Sequence, residues 1–567
     1  MQKKVKLPYG IGHFPTLIYN NYVYIDKTNY IEVMEDLSTL YHFFLRPRRF
    51  GKSLWVSVLS YYYDVNESQN FQKLFGNLYI GKNPTPNKNN YWVLNFEFSR
   101  IDTQTYPNTY NGFLQRVKEG ILNFMRKYEF SEIEIDKMNK IKEPSEALVF
   151  LFTICKHLKN KYPIYVIIDE YDHFANEILA FNRGDFSSMV GRNGFVRKFY
   201  EVIKTGAMEG VVGRFFATGV TPITLDSLTS GFNISTDLSR DIAFNECIGF
   251  NFEEVKHLVD LVCVDKSCDK EKMFEDMKNW YNGYIFDIDA NNRVYNSDMV
   301  LYFLNQLQIQ NKYPKNLLDT NIASDYGKVS KLFRLGNYES NLNTLRDLMK
   351  TGKLIAKIVR QFNFEIDFDK DSFISLLYYM GFLTLKESRG TNLSLKIPNY
   401  VIENLYYQFC IRQIEKDNQI SLENFTNAMD EMAFEGNVNY LLLEIQKIMK
   451  VLSNRDALNF DEKHAKIAIV SLLHLSDLYY IKSEYEINKK YIDILLLKRP
   501  PIEVTYQYAI ELKYLPKKEK KQKEQVKKEA IEQLQNYLQN EQLQKLENLK
   551  AFVLIFVGDE YEKIDVL

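Results

Sequence analysis

Tyr41-His-Phe-Phe-Leu45, Arg46-Pro-Arg-Arg-Phe-Gly-Lys-Ser53 and Leu54-Trp-Val-Ser-Val-Leu-Ser-Tyr61 stand in direct succession. The first is an apolar run of strand length, the second a turn rich in arginine, and the third continues with helical spacing. In that order they form the setting in which backbone N–H groups and a helix N-terminus surround the phosphates of a nucleotide. Within such a loop, formed around Gly51, Lys52 supplies a mobile cation and Ser53 offers a hydroxyl to magnesium. The usual first glycine is absent. Arg46 stands in its place, with Arg48 and Arg49 inside the loop, so extra positive charge is expected to face the nucleotide. For the Gly-Lys-Ser tripeptide alone, a helix start capped by Ser53 is the plainer alternative.

A nucleotide site also needs carboxylates at a neighbouring strand end, and Tyr162-Pro-Ile-Tyr-Val-Ile-Ile-Asp169-Glu170 supplies them. Asp169 is placed to bind magnesium through water, and Glu170 to orient or deprotonate the attacking water. The run Arg214-Phe-Phe-Ala-Thr218 ends in a hydroxyl where a γ-phosphate sensor is expected. An acidic turn after a buried strand is the bland alternative for Asp169-Glu170.

Outward from these segments, the first half alternates strands with amphipathic helices. The strands are expected at Tyr41 to Leu45, Trp92 to Phe98, Tyr162 to Ile168 and Arg214 to Thr218, and the helices at Tyr110 to Tyr128 and Pro144 to Asn160. This rhythm predicts a mainly parallel sheet covered by helices. After about Gly249 the pattern turns helical, over Phe252 to Cys263, Lys270 to Asn282 and Ser297 to Leu307, which fits a lid or winged-helix region. From about Asn459 a second α/β unit is expected: a helix over Asp461 to Leu475, strands at Tyr491 to Leu497 and Tyr506 to Leu515, a long solvated helix from Tyr514 to Leu549, and a closing strand at Lys550 to Val557.

The whole chain has 567 residues, too many for one core, and its 46% hydrophobic content excludes general disorder. Lys and Arg total 72 against 73 Asp and Glu, so the net charge of −1 excludes a nucleic-acid coat and confines any such contact to a patch. One patch is Lys513 to Lys528, with eight lysines and two glutamates; an ordinary soluble face is the alternative. Five scattered cysteines without metal spacing read as reduced thiols. With no membrane-length apolar window, they suggest a cytoplasmic or other reducing intracellular compartment, the nucleus included, and no membrane partner.

The segments Leu7-Pro-Tyr-Gly-Ile-Gly-His-Phe14, Tyr24-Ile-Asp-Lys-Thr28, Arg46 to Leu54, Ile167-Ile-Asp-Glu-Tyr-Asp172, Ala217-Thr-Gly-Val-Thr-Pro222 and Trp280-Tyr-Asn-Gly-Tyr284 resemble a known family. It comprises AAA-ATPase-like proteins of mobile-element character with a C-terminal PD-(D/E)XK nuclease-like domain. The arginine-rich loop is similar to that family's own variant. The resemblance further implies that Tyr24 to Thr28 lies near the nucleotide; an edge strand and turn is the alternative.

Near the C-terminus, Asp493 interrupts the apolar run Tyr491-Ile-Asp-Ile-Leu-Leu-Leu497, and Glu511 interrupts Tyr506-Gln-Tyr-Ala-Ile-Glu-Leu-Lys513. A buried charge needs a partner or a metal. Strand periodicity puts Glu511 and Lys513 on one face, one to bind a metal and the other to position a nucleophilic water, and Asp493 on a neighbouring strand would complete the metal pair. An edge-strand salt bridge between Glu511 and Lys513 is the alternative. The D-x17-E-x-K spacing resembles the PD-(D/E)XK core. That resemblance implies that Glu462 is the acidic residue of the preceding helix and that Gln533, in a Q-x3-Y pattern with Tyr537, contributes from the following one. Ser483-Glu-Tyr-Glu486 is similar to the segment before the metal aspartate.

The fold class expected is therefore α/β. A P-loop AAA-like ATPase domain with a parallel sheet would span 1–249, a helical lid or winged-helix region 250–440, and an α/β PD-(D/E)XK nuclease-like domain 441–567. The function expected is ATP binding and hydrolysis with magnesium-dependent cleavage of nucleic acid, DNA first. Catalytic residues would be Glu170, Glu462, Asp493, Glu511, Lys513 and Gln533. Nucleotide-binding residues would be Arg46, Arg49, Gly51, Lys52, Ser53, Asp169 and Thr218; metal ligands would be Ser53, Asp169, Asp493 and Glu511. The cofactors would be ATP and Mg2+, and the chain is open to homo-oligomer formation. Two alternatives stand: a nucleotide-switched DNA- or protein-binding module with an inactive nuclease fold, and a scaffold whose lysine-rich helix docks an acidic partner.

Overall fold

The computed structural model describes residues 4–567 except 159–161, 174–188, 190–193, 224–231, 264–268, 320–331, 361, 363–367, 419–421, 456–460 and 488–489. The chain divides into two compact units, one made of residues 1–305, 319–348 and 352–399, the other of 306–318, 349–351 and 400–567. The second unit begins ahead of the 441 boundary expected from sequence. Among the described residues, no helix is long and apolar enough to cross a membrane.

In the first unit, β1 (Tyr41–Leu45), β2 (Trp92–Glu97), β3 (Ile164–Asp169), β4 (Val212–Gly219) and the short β5 (Thr236–Asp237) form one sheet in the order β2-β3-β4-β1-β5. All its pairings are parallel. Every residue of β3 is buried, which explains its unbroken apolar reading: helices cover both faces of such a sheet. The helices Tyr106–Lys127 and Phe195–Met208 pack on β2 and β4, and Lys52–Tyr63 packs on β3. These elements lie within a few residues of the positions expected from periodicity.

The helices Phe252–Val262, Lys270–Tyr281 and Ser297–Gln310 follow. Three strands that the helical pattern hid come next: β6 (Leu354–Ala356), β7 (Thr384–Arg389) and β8 (Asn392–Lys396), antiparallel in the order β6-β8-β7. The helix Lys370–Tyr379 packs against β6.

The second unit holds β9 (Tyr479–Ile487), β10 (Lys490–Lys498), β11 (Gln507–Leu515), β12 (Leu549–Val557) and β13 (Glu560–Asp565), ordered β13-β12-β11-β10-β9. Only β11 and β12 run parallel; the other neighbours are antiparallel. One core joins Tyr508, Ile510, Leu512, Phe552 and Leu554 to residues of the helices Tyr400–Asn418, Asn439–Arg455 and Glu462–Leu473. On the opposite face, Ala509, Val553 and Ile555 pack with Ala530, Leu534 and Tyr537 of the helix Lys523–Leu538.

The single long helix expected over Tyr514 to Leu549 is not formed. The chain continues β11 to Leu515, passes Pro516, and makes a 3-10 turn at Lys517–Gln522 before the helix Lys523–Leu538 and a short turn at Glu541–Gln544. Proline ends the strand ladder and Asn540 caps the short turn through Gln542 N–H, so two local signals outweigh the polar periodicity.

Candidate functional sites

The loop after β1 is shaped by two left-handed residues, Arg49 (φ 67°) and Gly51 (φ 102°). Glycine adopts that conformation without a Cβ clash, so Gly51 can turn the chain directly into the helix at Lys52. Lys52 is buried, and its ammonium donates to the carbonyls of Arg46 and Pro47, each at 3.0 Å. Burial pulls its pKa down to about 8 against the attraction of Asp169, Asp172 and Glu170. The cation is thus held inside the loop by groups that a phosphate oxygen can replace.

Asp169 ends β3 and accepts a hydrogen bond from the Ser53 hydroxyl, which joins the two expected magnesium groups. Burial pushes its carboxyl up to about 6, opposed by Ser53 and Lys52. Glu170 follows in a left-handed conformation (φ 50°) and pairs with His173 at 3.4 Å. Asp172, in the quoted motif but given no role from sequence, accepts from Thr221 N–H at 2.7 Å and from both Val220 N–H and the Thr221 hydroxyl. Gly219 makes that approach possible, because a Cβ there would lie 2.2 Å from Asp172 Oδ1.

Two residues expected to contact the nucleotide are engaged within the protein. Arg46 is 1% exposed: its guanidinium donates to the carbonyls of Leu45, Ser239 and Phe244 and lies against the rings of Phe44 and Phe286. Burial lowers its pKa to about 10. It ties the loop to the sheet and does not extend into the cavity. The Thr218 hydroxyl likewise donates into the sheet, to Phe44 carbonyl at 2.6 Å. Strand-end position alone carries no information on which way a hydroxyl donates.

A cavity of about 420 Å³ lies over the loop, lined by Arg48, Arg49, Gly51, Lys52, Ser53 and Glu170. Tyr24, Ile25 and Lys27 line it too. Trp55, Ile248 and Phe250 add apolar side chains to its lining. Arg49 also stands 3.7 Å from Asp298, while Ser297 hydroxyl and Asp298 N–H donate to Arg49 carbonyl. Sequence reading missed this support from the start of the helix Ser297–Gln310.

The second cluster forms where β10 and β11 part. Their ladder pairs Leu496 with Tyr508, Leu495 with Ala509 and Ile494 with Ile510. At the next step the Asp493 carboxylate accepts Leu512 N–H at 3.0 Å. Glu511 is wholly buried; Lys513 donates to its Oε1 at 2.8 Å, and its Oε2 has no hydrogen-bond partner. Burial raises the Glu511 pKa, with Asp493 adding and Lys513 opposing. Burial works against the Lys513 ammonium, but Glu511, Asp493 and Glu462 outweigh it and raise its pKa.

Glu462 accepts Tyr514 N–H at 3.3 Å and stands 4.0 Å from Lys513, which brings the helix acid to the cluster. Gln533 donates to the Tyr537 hydroxyl, whose pKa is raised by burial and by Glu511 and Asp493, so this helix also faces the site. The residue that sequence reading missed is Lys466, 3.0 Å from Asp493. It stands four residues after Glu462 and so shares that helical face. The side chains of Glu484 and Glu486 lie outside the described residues. Among the described residues, no group of three His, Cys, Asp or Glu side chains is poised to hold a metal. The orphaned oxygen of Glu511 beside Asp493 nevertheless fits magnesium, which commonly takes one or two carboxylates and completes its shell with water.

The lysine-rich stretch is less positive than its composition suggested. Lys517, Lys520, Lys523 and Lys527 pair with Asp559, Glu560 and Glu562 at the β12–β13 end of the sheet. Lys518, Lys521 and Lys528 remain exposed.

Comparison with known proteins agrees with both clusters. Residues 8–229 match the family described as predicted AAA-ATPase, and residues 460–565 match the PD-(D/E)XK nuclease superfamily. The chain thus carries an AAA-ATPase-like domain and a C-terminal PD-(D/E)XK nuclease superfamily domain. An uncharacterized protein in the vnfD 5' region of Azotobacter chroococcum mcd 1 is 26% identical over 310 residues, 53% of this chain and 52% of that protein. The match therefore spans about half the length of this relative. The Walker-type ATPase PABY2304 of Pyrococcus abyssi aligns at 11% identity with a TM-score of 0.36, covering 72% of this chain and 99% of that one.

Proposed function

We propose that this protein hydrolyses ATP in its first unit and cleaves nucleic-acid phosphodiester bonds, DNA first, in its second. The observation that carries the nuclease reading is Glu511: a wholly buried carboxylate with one unpartnered oxygen, beside Asp493 and Lys513 on strands that part at that point. Leaving such an oxygen without a partner is costly, and a cation relieves it. In this reading residues 1–249 act as the nucleotide domain, 250–440 as its lid and 441–567 as the nuclease.

In the nucleotide site, Lys52 exchanges the Arg46 and Pro47 carbonyls for phosphate oxygens, and Ser53 with Asp169 holds Mg2+. Glu170 takes the proton of the attacking water. In the second site, Asp493 and Glu511 would hold Mg2+, which would supply positive charge for the scissile phosphate and for activating a water. Lys513 orients that water, Glu462 keeps Lys513 charged, and Gln533 fixes the Tyr537 hydroxyl beside the cluster. Lys518, Lys521 and Lys528 are the cations left to meet the phosphate backbone.

Parallel assays of ATP turnover and DNA cutting test the reading. Glu170→Gln is expected to bind ATP but lose turnover, and Asp493→Ala to lose Mg2+-dependent cutting with turnover intact. Full cutting by Asp493→Ala would contradict the nuclease assignment. The Lys466–Asp493 ion pair favours a second reading, in which the nuclease fold is inactive and nucleotide only switches DNA or protein binding. Nucleotide-dependent binding without any cutting would support it.

A further inference from the structure

Five charged side chains meet in the second site, and two of them are ammonium groups. Lys513 belongs to the E-x-K strand and is spent on Glu511. Lys466 comes from the helix Glu462–Leu473, is 11% exposed, and donates to Asp493 Oδ1 at 3.0 Å. The other Asp493 oxygen takes Leu512 N–H at 3.0 Å. Both oxygens of Asp493 are therefore engaged by donors, whereas Glu511 keeps Oε2 open. An ammonium and a divalent ion cannot both lie against one carboxylate oxygen without strong mutual repulsion, the more so where water is scarce.

We propose that Lys466 is a built-in competitor of the metal. Its ammonium neutralises Asp493 in the metal-free protein and must leave Oδ1 before a divalent ion can bind there. The site then assembles only above a threshold of divalent ion, and the cluster avoids an uncompensated buried charge in the meantime. This inference rests on the reading that Asp493 and Glu511 hold a metal. A lysine that merely supported Asp493 would act in the opposite sense, since its removal would loosen a ligand and weaken metal binding.

Mn2+ titration of the full-length, nucleotide-free protein, followed calorimetrically, separates these cases. Lys466→Gln, which keeps a hydrogen-bond donor without the charge, is expected to bind Mn2+ about tenfold tighter or more than wild type. Lys466→Arg should stay close to wild type, and the gain should vanish in a Lys466→Gln/Glu511→Ala double variant. Lys466→Met serves in place of Lys466→Gln if circular dichroism shows that the latter is unfolded. Unchanged or weaker binding by the neutral variant, with binding still abolished by Glu511→Ala, would overturn the inference and leave the metal site standing. Absence of Mn2+ binding to every protein, wild type included, would remove both.

Discussion

Arg46 and Lys52 sit six positions apart in one loop and should fail in opposite ways. Arg46 satisfies three buried carbonyls and lies between two rings, so Arg46→Ala is expected to destabilise the first unit by about 3 kcal/mol or more, read from denaturant midpoints. Lys52 holds only the loop's own carbonyls. Lys52→Ala should leave the melting temperature nearly unchanged while lowering ATP affinity at least about tenfold, measured with a fluorescent nucleotide. The loop motif announced both residues, but only the direction of their donors separates a tether from a ligand. Asp493, Glu511 and Lys513 were legible because each breaks an apolar strand. Lys466 was not, because its partner stands on a strand well downstream and a lysine in a helix is unremarkable by itself.

At the scale of elements, the end of β4 depends on a glycine. A Cβ at Gly219 would meet Asp172 Oδ1 at 2.2 Å and the ring of Tyr171 at 2.6 Å. Gly219→Ala is expected to cost about 1–3 kcal/mol in urea unfolding by forcing Asp172 off its backbone donors. An unchanged midpoint would show that the Asp172 turn is looser than these contacts imply. The parallel strands were readable because burial on both faces leaves unbroken apolar runs. In the second unit β9 and β13 escaped notice for the opposite reason. Glu560–Asp565 is an edge strand with a largely charged sequence, held by the apolar face of β12 and by lysines from Lys517–Gln522 and Lys523–Leu538. Such an edge resists further strand pairing but carries no apolar signature.

Across the whole molecule, each unit buries a neutral histidine. His42, on β1, is pushed down to about 4 by burial and by Arg214, and His474, between the rings of Tyr400 and Tyr407, is pushed down to about 3 by burial. In the unfolded chain both titrate near 6.5. The folded state therefore binds fewer protons, so the stability these groups contribute is full above pH 6.5 and is lost as pH falls towards 4 and 3. Each histidine should cost about 1.4 kcal/mol per pH unit inside its window. Thermal melts from pH 7.5 to 4.5 should fall steadily below 6.5, and His42→Gln and His474→Gln should each flatten part of that fall. A pH-independent melt would contradict the buried neutral assignment. Two units with separate cores were foreseeable from length and pattern, whereas the inclusion of 306–318, 349–351 and 400–440 in the second was not. Its first helices share a core with strands far along the chain, and periodicity does not report such partners.

The second unit is proposed to cut phosphodiester bonds at the buried Glu511 and the half-buried Asp493. The most direct measurement is Mg2+-dependent cleavage of labelled single- and double-stranded DNA and RNA, with and without ATP, by wild type and Glu511→Ala purified in parallel. Cutting by wild type, strongest on DNA, is expected to disappear both in chelator and in Glu511→Ala. Equal cutting by the two proteins, or none by wild type in the presence of bound ATP, would contradict it.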